Sequence, residues 1–282
     1  MTDILRAKYC YINLEKSRYV LVYNCPTPLP NIGNRPSDVE KFINLSLAKL
    51  QLSYVDLYLI HTPFGLNYRD DETMIPMKPD NTVDLDLSTD LQALWKVNDS
   101  IPHSWKMEEQ VDLGKAKAIG VSNFSIKQVD KILQVARIRP VTNQVELHIY
   151  NQQRELQEHL SKKNITLTAY SSLGTAGTIH FLEQLGTKCE LPNLMENPTV
   201  KKIAGEVNKT SAQVLLRFVI QRGIATIPKS TNPQRIKQNL DVFNFELTPD
   251  QMNRLFILDK KVRILRFEEI FKNVESHPEY PF

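Results

Sequence analysis

The chain reads as an α/β protein, a (β/α)8 TIM barrel incomplete at its N-terminus, and three observations predict this. Short apolar runs of strand length alternate with amphipathic helical runs through six consecutive units, the pattern of a parallel sheet made from βα repeats. The polar residues that look chemical, His61, Ser122, Asn123, Gln144, Tyr170, Ser171, Lys229 and Ser230, mostly stand at or just beyond the ends of those apolar runs. In a barrel the C-terminal ends of the strands share one mouth. An open doubly wound sheet produces the same alternation, but no Gly-x-Gly-x-x-Gly follows any strand and the nine glycines are scattered, which weakens that alternative.

Taken in order, Tyr19 to Tyr23 is expected as a strand ahead of a helix from Ser37 to Leu50, and Tyr54 to Ile60 as a strand ahead of a helix near Asp90. Ala116 to Val121 precedes a helix from Ser125 to Ala136, and Val141 to Leu147 precedes one from Gln153 to Lys162. Ile165 to Tyr170 precedes two helices, Val200 to Lys209 and Ser211 to Arg222. Ile224 to Ile227 then leads into Pro233 to Leu240, where Asn232 is a good cap and proline takes the first helical position. No composition break marks a linker, so residues 1–282 are expected to form one domain. The segment before Tyr19 is too short for two further units, since a βαβ unit alone takes about 30 residues. Residues 1–34 therefore read as a degenerate N-terminal region, with the barrel's first two strands lacking and its neighbouring edges in need of cover.

The composition excludes several classes. At 282 residues and 41% apolar content the chain can bury a sizeable core. A net charge of +3 spread along the sequence implies neither a nucleic-acid nor a membrane surface. Cys10, Cys25 and Cys189 are odd in number and widely spaced, with neither a disulfide framework nor metal-ligand spacing, so a reducing interior and no metal are expected. The first residues lack the apolar core of a signal peptide, and no run approaches the roughly 20 apolar residues of a membrane helix. The expected location is the cytoplasm.

The run from Ile227 to Asn239 is the densest in chemical meaning. It places Lys229, Ser230 and Arg235 around one helix start, where backbone N–H groups and the helix dipole already favour an anion. A guanidinium in the first turn can grip phosphate oxygens with two parallel hydrogen bonds. The alternative reading is a solvated basic helix start.

At this point several stretches resemble the aldo-keto reductase family. Lys117-Ala118-Ile119-Gly120-Val121-Ser122-Asn123-Phe124 and Ile227-Pro228-Lys229-Ser230, with Arg235, Gln238 and Asn239, look like two of its signature motifs. Tyr54 to Pro63 resembles the strand that bears its active-site histidine. Asn143-Gln144-Val145-Glu146 and Ala169-Tyr170-Ser171-Ser172-Leu173-Gly174 resemble two further cofactor-binding stretches, so the likeness runs from about Arg35 to the C-terminus. The resemblance implies a (β/α)8 barrel that binds NADPH without a Rossmann domain and reduces a small aldehyde or ketone, as a cytoplasmic monomer. It further implies that Ser122, Asn123 and Gln144 fix the nicotinamide carboxamide, that Tyr170 stacks on the ring, and that Ser171 and Leu173 belong to the same cofactor stretch. Lys229, Ser230 and Arg235 would take the 2′-phosphate, with Gln238 and Asn239 at the adenine edge.

The catalytic part matches less well. The family protonates the carbonyl with a Tyr tuned by a Lys and an Asp, while a His orients substrate; His61 matches that His. Tyr11, in Tyr9-Cys10-Tyr11-Ile12-Asn13, is the candidate acid, but Arg6 stands where the Asp is expected. The family's Lys follows a strand, and in Thr27-Pro28-Leu29-Pro30 it is Pro28 that takes its place. An alternative function is therefore a cofactor-binding pseudoenzyme or a truncated product. Residues 97–106 repeat a Trp-Lys pair and contain Pro102; they read as an insertion that breaks a helix between Trp95 and Met107. The loop Phe64 to Pro79, with its acidic run Asp70-Asp71-Glu72, reads as solvated. Phe267, Phe271 and Tyr280 in the tail either line the substrate pocket or pack on the barrel wall.

Overall fold

The computed structural model describes residues 28–96, 106–174 and 193–282. They fall into two compact units: one holds the described residues of Cys25–Asn143, Glu158–Ile165 and Phe267–Phe282, the other those of Gln144–Gln157 and Thr166–Arg266. Tyr11 and the strand expected at Tyr19 to Tyr23 lie outside the described residues.

The first unit contains parallel strands β1 (Pro28–Leu29), β2 (Val55–Ile60) and β5 (Ala116–Ser122) and the start of β6 (Thr142–Glu146). In register, Leu29 opposes Ile60, and Ile60 opposes Val121. The near-continuous apolar run of β2 suits a strand covered on both faces. Pro28, which stands where the family's Lys is expected, and Leu29 themselves form a strand, and proline is tolerated as its first residue because no further ladder N–H is needed there. Gly120 has a steric cause, since a Cβ on it would come within 2.7 Å of the Thr142 carbonyl oxygen.

Helix α1 (Val39–Leu50) buries Val39, Phe42, Ile43, Ser46 and Leu47 on one face, the 3.6-residue periodicity of an amphipathic helix. Beyond β2 an antiparallel pair forms, β3 (Gly65–Leu66), inside the loop expected from Phe64 to Pro79, with β4 (Leu85–Asp86). The loop's acidic run is exposed, as expected, and Asp71 pairs with Lys41 at 2.7 Å. Helix α2 (Leu91–Trp95) starts at Asp90, whose carboxylate accepts from the Gln92 and Ala93 amides, and it ends at an extended Lys96. Helix α3 (Met107–Asp112) begins after Lys106, which is extended and buried; residues 97–105 lie outside the description. Helix α4 (Ile126–Leu133) carries the Ser125/Gln128 capping box.

The second unit continues β6 and adds β7 (Thr166–Tyr170) and β8 (Ala225–Thr226), with Thr168 opposite Ala225. Helix α5 (Arg154–Ser161) follows β6 in the chain. Helix α6 (Pro198–Glu206) starts at Asn197, which caps the Thr199 and Val200 amides and donates to the Tyr150 hydroxyl at 2.8 Å. Helix α7 (Ser211–Gln221) buries Gln213 through Ile220 and is the core helix of the unit. Helix α8 (Pro233–Leu240) lies where the sequence put it. Helix α9 (Pro249–Phe256), opened by a Thr248/Gln251 capping box, was not anticipated. The tail turns through a short α10 (Phe267–Ile270). Among the described residues no helix is long and apolar enough to cross a membrane.

Candidate active site

In the first unit, His61 directly follows β2, and its amide donates to the Leu29 carbonyl at 3.2 Å. Its imidazole is open to solvent, yet it stands among enough protein that desolvation lowers its pKa. Ser122 ends β5 and Asn123 follows it with φ +61°, a left-handed conformation that asparagine tolerates better than most residues. That backbone turn folds the Asn123 amide back, so its Nδ2 donates to the His61 carbonyl at 2.9 Å and lies 3.2 Å from Ser122 Oγ. His61, Ser122 and Asn123 are thus brought together. Asn143 secures the next turn, donating to the Phe124 carbonyl at 2.8 Å.

The turn after His61 is held from outside. Asn34 Nδ2 donates to the Thr62 and Phe64 carbonyls at 2.8 and 2.9 Å. Phe64, fully buried, meets Phe267 and Phe271 edge to face at 5.6 and 5.7 Å, so these tail aromatics pack on the unit. His277 pins the tail further. Its Nε2 bonds the Asp86 carbonyl at 2.8 Å and its Nδ1 accepts from the Glu279 amide at 3.0 Å, which fixes a neutral tautomer. Burial lowers its pKa despite the nearby carboxylates. Gln128 and Lys131 hold Glu279 in turn.

In the second unit, Gln144 lies half-buried on β6, and Tyr170 ends β7. Ser171 follows with φ +56°. Ser172 Oγ bonds Thr226 Oγ1 at 2.7 Å, and the Ile227 amide donates to the Ala169 carbonyl at 3.2 Å. These contacts bring the Tyr170–Leu173 turn beside the start of the β8–α8 loop. Leu173 packs against Leu216, Ile220 and Val242, so its side chain serves the core. Burial pushes the pKa of Tyr170 up, with the Glu146 charge adding to the shift and the Arg263 charge opposing it.

The β8–α8 segment gathers the remaining candidates. Lys229, Arg235 and Gln238 are exposed, Ser230 is half-buried and Asn239 is buried. Arg235, Gln238 and Asn239 fall at i, i+3 and i+4 and share one helix face. The helix start differs in one respect from the sequence expectation of free amides. Asn232 Oδ1 accepts from the Gln234 and Arg235 amides at 2.9 and 3.1 Å, and Ser230 Oγ accepts from the Asn232 amide at 3.1 Å. Side-chain donors, rather than those amides, are what the segment offers an anion. Two cations and a hydroxyl suit a phosphate group, and Arg235 forms no ion pair among the described residues.

Sequence reading gave no role to Glu146 or Arg263. Glu146 is fully buried and accepts from the Ile264 and Leu265 amides at 2.6 and 2.7 Å and from His148 Nε2 at 2.9 Å. Burial opposes its charge, but these hydrogen bonds prevail and hold its carboxyl below the usual range. The signal in the sequence was its place near Gln144, because the two amides it holds are 118 and 119 residues away.

Parallel βα units with polar residues at the strand C-termini, and a cationic βα loop after β8, are the layout of an α/β protein that takes a phosphate-bearing ligand without a glycine-rich loop. Known proteins agree. The model of the aldo/keto reductase family matches residues 15–260. Aldo-keto reductase family 1 member A1-A of Danio rerio is 41% identical over 258 residues, covering 89% of this chain and 74% of its own. Aldo-keto reductase family 1 member A1 of Gallus gallus is 39% identical, covering 89% and 73%. The solved aldose reductase of Schistosoma japonicum superposes with a TM-score of 0.74 at 34% identity, covering 90% of this chain and 73% of that one. The chain belongs to the aldo/keto reductase family, barrel oxidoreductases that reduce small aldehydes and ketones with a nicotinamide cofactor.

Proposed function

We propose that the chain binds NADPH, in preference to NADH, and uses it to reduce a small aldehyde or ketone as a cytoplasmic monomer. The observation that carries the cofactor choice is the β8–α8 segment, where exposed Lys229 and Arg235 flank Ser230 at a helix start whose nearest amides are already capped. Cations presented for a phosphate gain little from a bare ribose hydroxyl, so the 2′-phosphate is the group they suit. Gln238 and Asn239 meet the adenine edge. Ser122, Asn123 and Gln144 orient the carboxamide, and the Tyr170 ring lies against the nicotinamide, with Ser171 and Leu173 forming its turn. When bound, the cofactor supplies the hydride. His61 orients the carbonyl oxygen, its solvent-open imidazole having a pKa lowered by desolvation.

The match across residues 15–260 supports one domain, and the cysteine pattern supports a reducing compartment. A second reading, binding without turnover, is favoured by Pro28, which lies on β1 opposite Leu59, two positions before His61; a proline side chain offers no amine. The test is to titrate NADPH and NADH by nicotinamide fluorescence while following NADPH oxidation with a nitrobenzaldehyde. Tighter NADPH binding with turnover that Tyr11→Phe abolishes supports the reductase. Binding without turnover selects the second reading, and tighter NADH binding refutes the phosphate assignment. Size-exclusion chromatography tests the monomer.

A further inference from the structure

The carboxylate of Glu146 has no role in the reading above, yet it is fully buried and accepts three hydrogen bonds. Removing a carboxylate from water is costly, and an apolar residue would fill the space more cheaply if packing were its only task. What an ionised carboxylate adds is direction. Oε1 takes the Ile264 amide and His148 Nε2, and Oε2 takes the Leu265 amide, so two successive peptide groups of a distant segment are fixed in position and orientation. The residue just before them, Arg263, interacts electrostatically with the Tyr170 hydroxyl, as does Glu146 itself. From the other side, the Leu147 amide donates to the Tyr170 carbonyl at 3.2 Å. The Tyr170 backbone is therefore set by the β6–β7 rung, and its hydroxyl by the segment that Glu146 anchors.

We propose that Glu146 is a positioning residue, which sets the Tyr170 ring for a nicotinamide by anchoring Ile264 and Leu265 and through them the Arg263 side chain. This rests on Tyr170 being the nicotinamide platform. Glu146 touches neither cofactor nor substrate; it acts through the ring. Glutamine at this position keeps the volume and one carbonyl acceptor but cannot accept at both oxygens, so one of the two peptide groups loses its partner.

The test compares NADPH with 2′,5′-ADP, which carries the phosphate-bearing adenosine end and no nicotinamide. Binding of both to wild type and Glu146→Gln is measured by calorimetry, together with the emission maximum and anisotropy of bound NADPH fluorescence. The expected result is an NADPH affinity about three- to tenfold weaker, the scale of one hydrogen bond's net contribution, with altered nicotinamide emission and unchanged 2′,5′-ADP affinity. Equal weakening of both ligands, or no weakening of either, overturns the proposal. Should Glu146→Gln fail to fold, Tyr170→Phe decides the matter, because it removes only the hydroxyl that interacts with Arg263. A selective loss of NADPH affinity then supports the proposal, and an unchanged affinity overturns it. If wild type binds 2′,5′-ADP but gains nothing from the nicotinamide half, the proposal falls while the phosphate site stands. If wild type binds neither ligand, the underlying cofactor reading fails and the proposal with it.

Discussion

Arg235→Ala separates a phosphate clamp from a merely basic surface. Arg235 is exposed in the first turn of α8, and its backbone amide is already used by Asn232, so the substitution removes a side-chain cation and leaves the helix cap in place. A unit charge about 4 Å from a phosphate contributes about 1 kcal/mol in bulk water and about 4 kcal/mol at the effective dielectric near a protein surface. Because the guanidinium is open to solvent, a value near 2 kcal/mol is expected, within the range of about 1.5–3 kcal/mol for hydrogen bonds to charged groups. That corresponds to about a thirtyfold rise in the NADPH dissociation constant. NADH, which lacks the 2′-phosphate, should bind the variant and wild type alike. Parallel fluorescence titrations at fixed ionic strength measure both. Equal losses for the two cofactors, or an NADPH change below about threefold, would falsify the assignment of Arg235 to the phosphate.

Three further outcomes follow from packing and protonation. Glu108 is fully buried, and one of its oxygens accepts both the Arg137 and Ile138 amides at 2.6 and 2.7 Å. Glu108→Ala should lower urea-unfolding stability by about 2–5 kcal/mol, whereas Glu108→Gln, which keeps an acceptor oxygen, should cost about 1 kcal/mol; equal losses would contradict this. Gly120→Ala places a methyl 2.7 Å from the Thr142 carbonyl oxygen and should destabilise by about 1–3 kcal/mol by overpacking, seen as a lower Tm with secondary structure retained. His277 is bound as a neutral ring with a lowered pKa. The unfolded chain therefore takes up its proton first, and stability should decline as pH falls below about 6.5. His277→Gln should flatten that part of the Tm–pH curve, and an unchanged slope between about pH 6.5 and 5 would argue against the neutral latch.

Much of the fold was legible because its signals are local. The Ser125/Gln128 and Thr210/Gln213 capping boxes and the Asn232-Pro233 start mark helices whose first residues the structure places within one of those expected. Apolar runs likewise located β2, β5, β6 and β7. The Thr248/Gln251 box of α9 was equally local and was overlooked. Strand β1 carries no local signal, since it is two residues long and opens on Pro28, and only its pairing with Leu59 and Ile60 makes it a strand. The polar candidates were visible as residue types, but their relations were not. Asn123 folding back on the His61 carbonyl needs a left-handed backbone and a partner 62 residues away. The capped amides of α8 came from a cap residue correctly recognised, whose consequence for anion binding appears only when the acceptor is seen already occupied.

The return of residues 267–282 to the unit that begins the described chain has a consequence for the order of folding. During synthesis, Phe64 and Val83 emerge long before Phe267, Phe271 and Lys272, their partners in ring packing and in the hydrogen bond from the Val83 amide. All the described residues of the other unit are made in between. The surface under the tail therefore stays uncovered on the nascent chain while some 180 residues are added at about 5–20 residues per second. That interval of roughly ten to forty seconds is when this unit is most open to chaperones and proteases. A substitution such as Phe267→Ala would lengthen the exposure as well as weaken the finished fold, so its effect on yield in cells should exceed its effect on Tm.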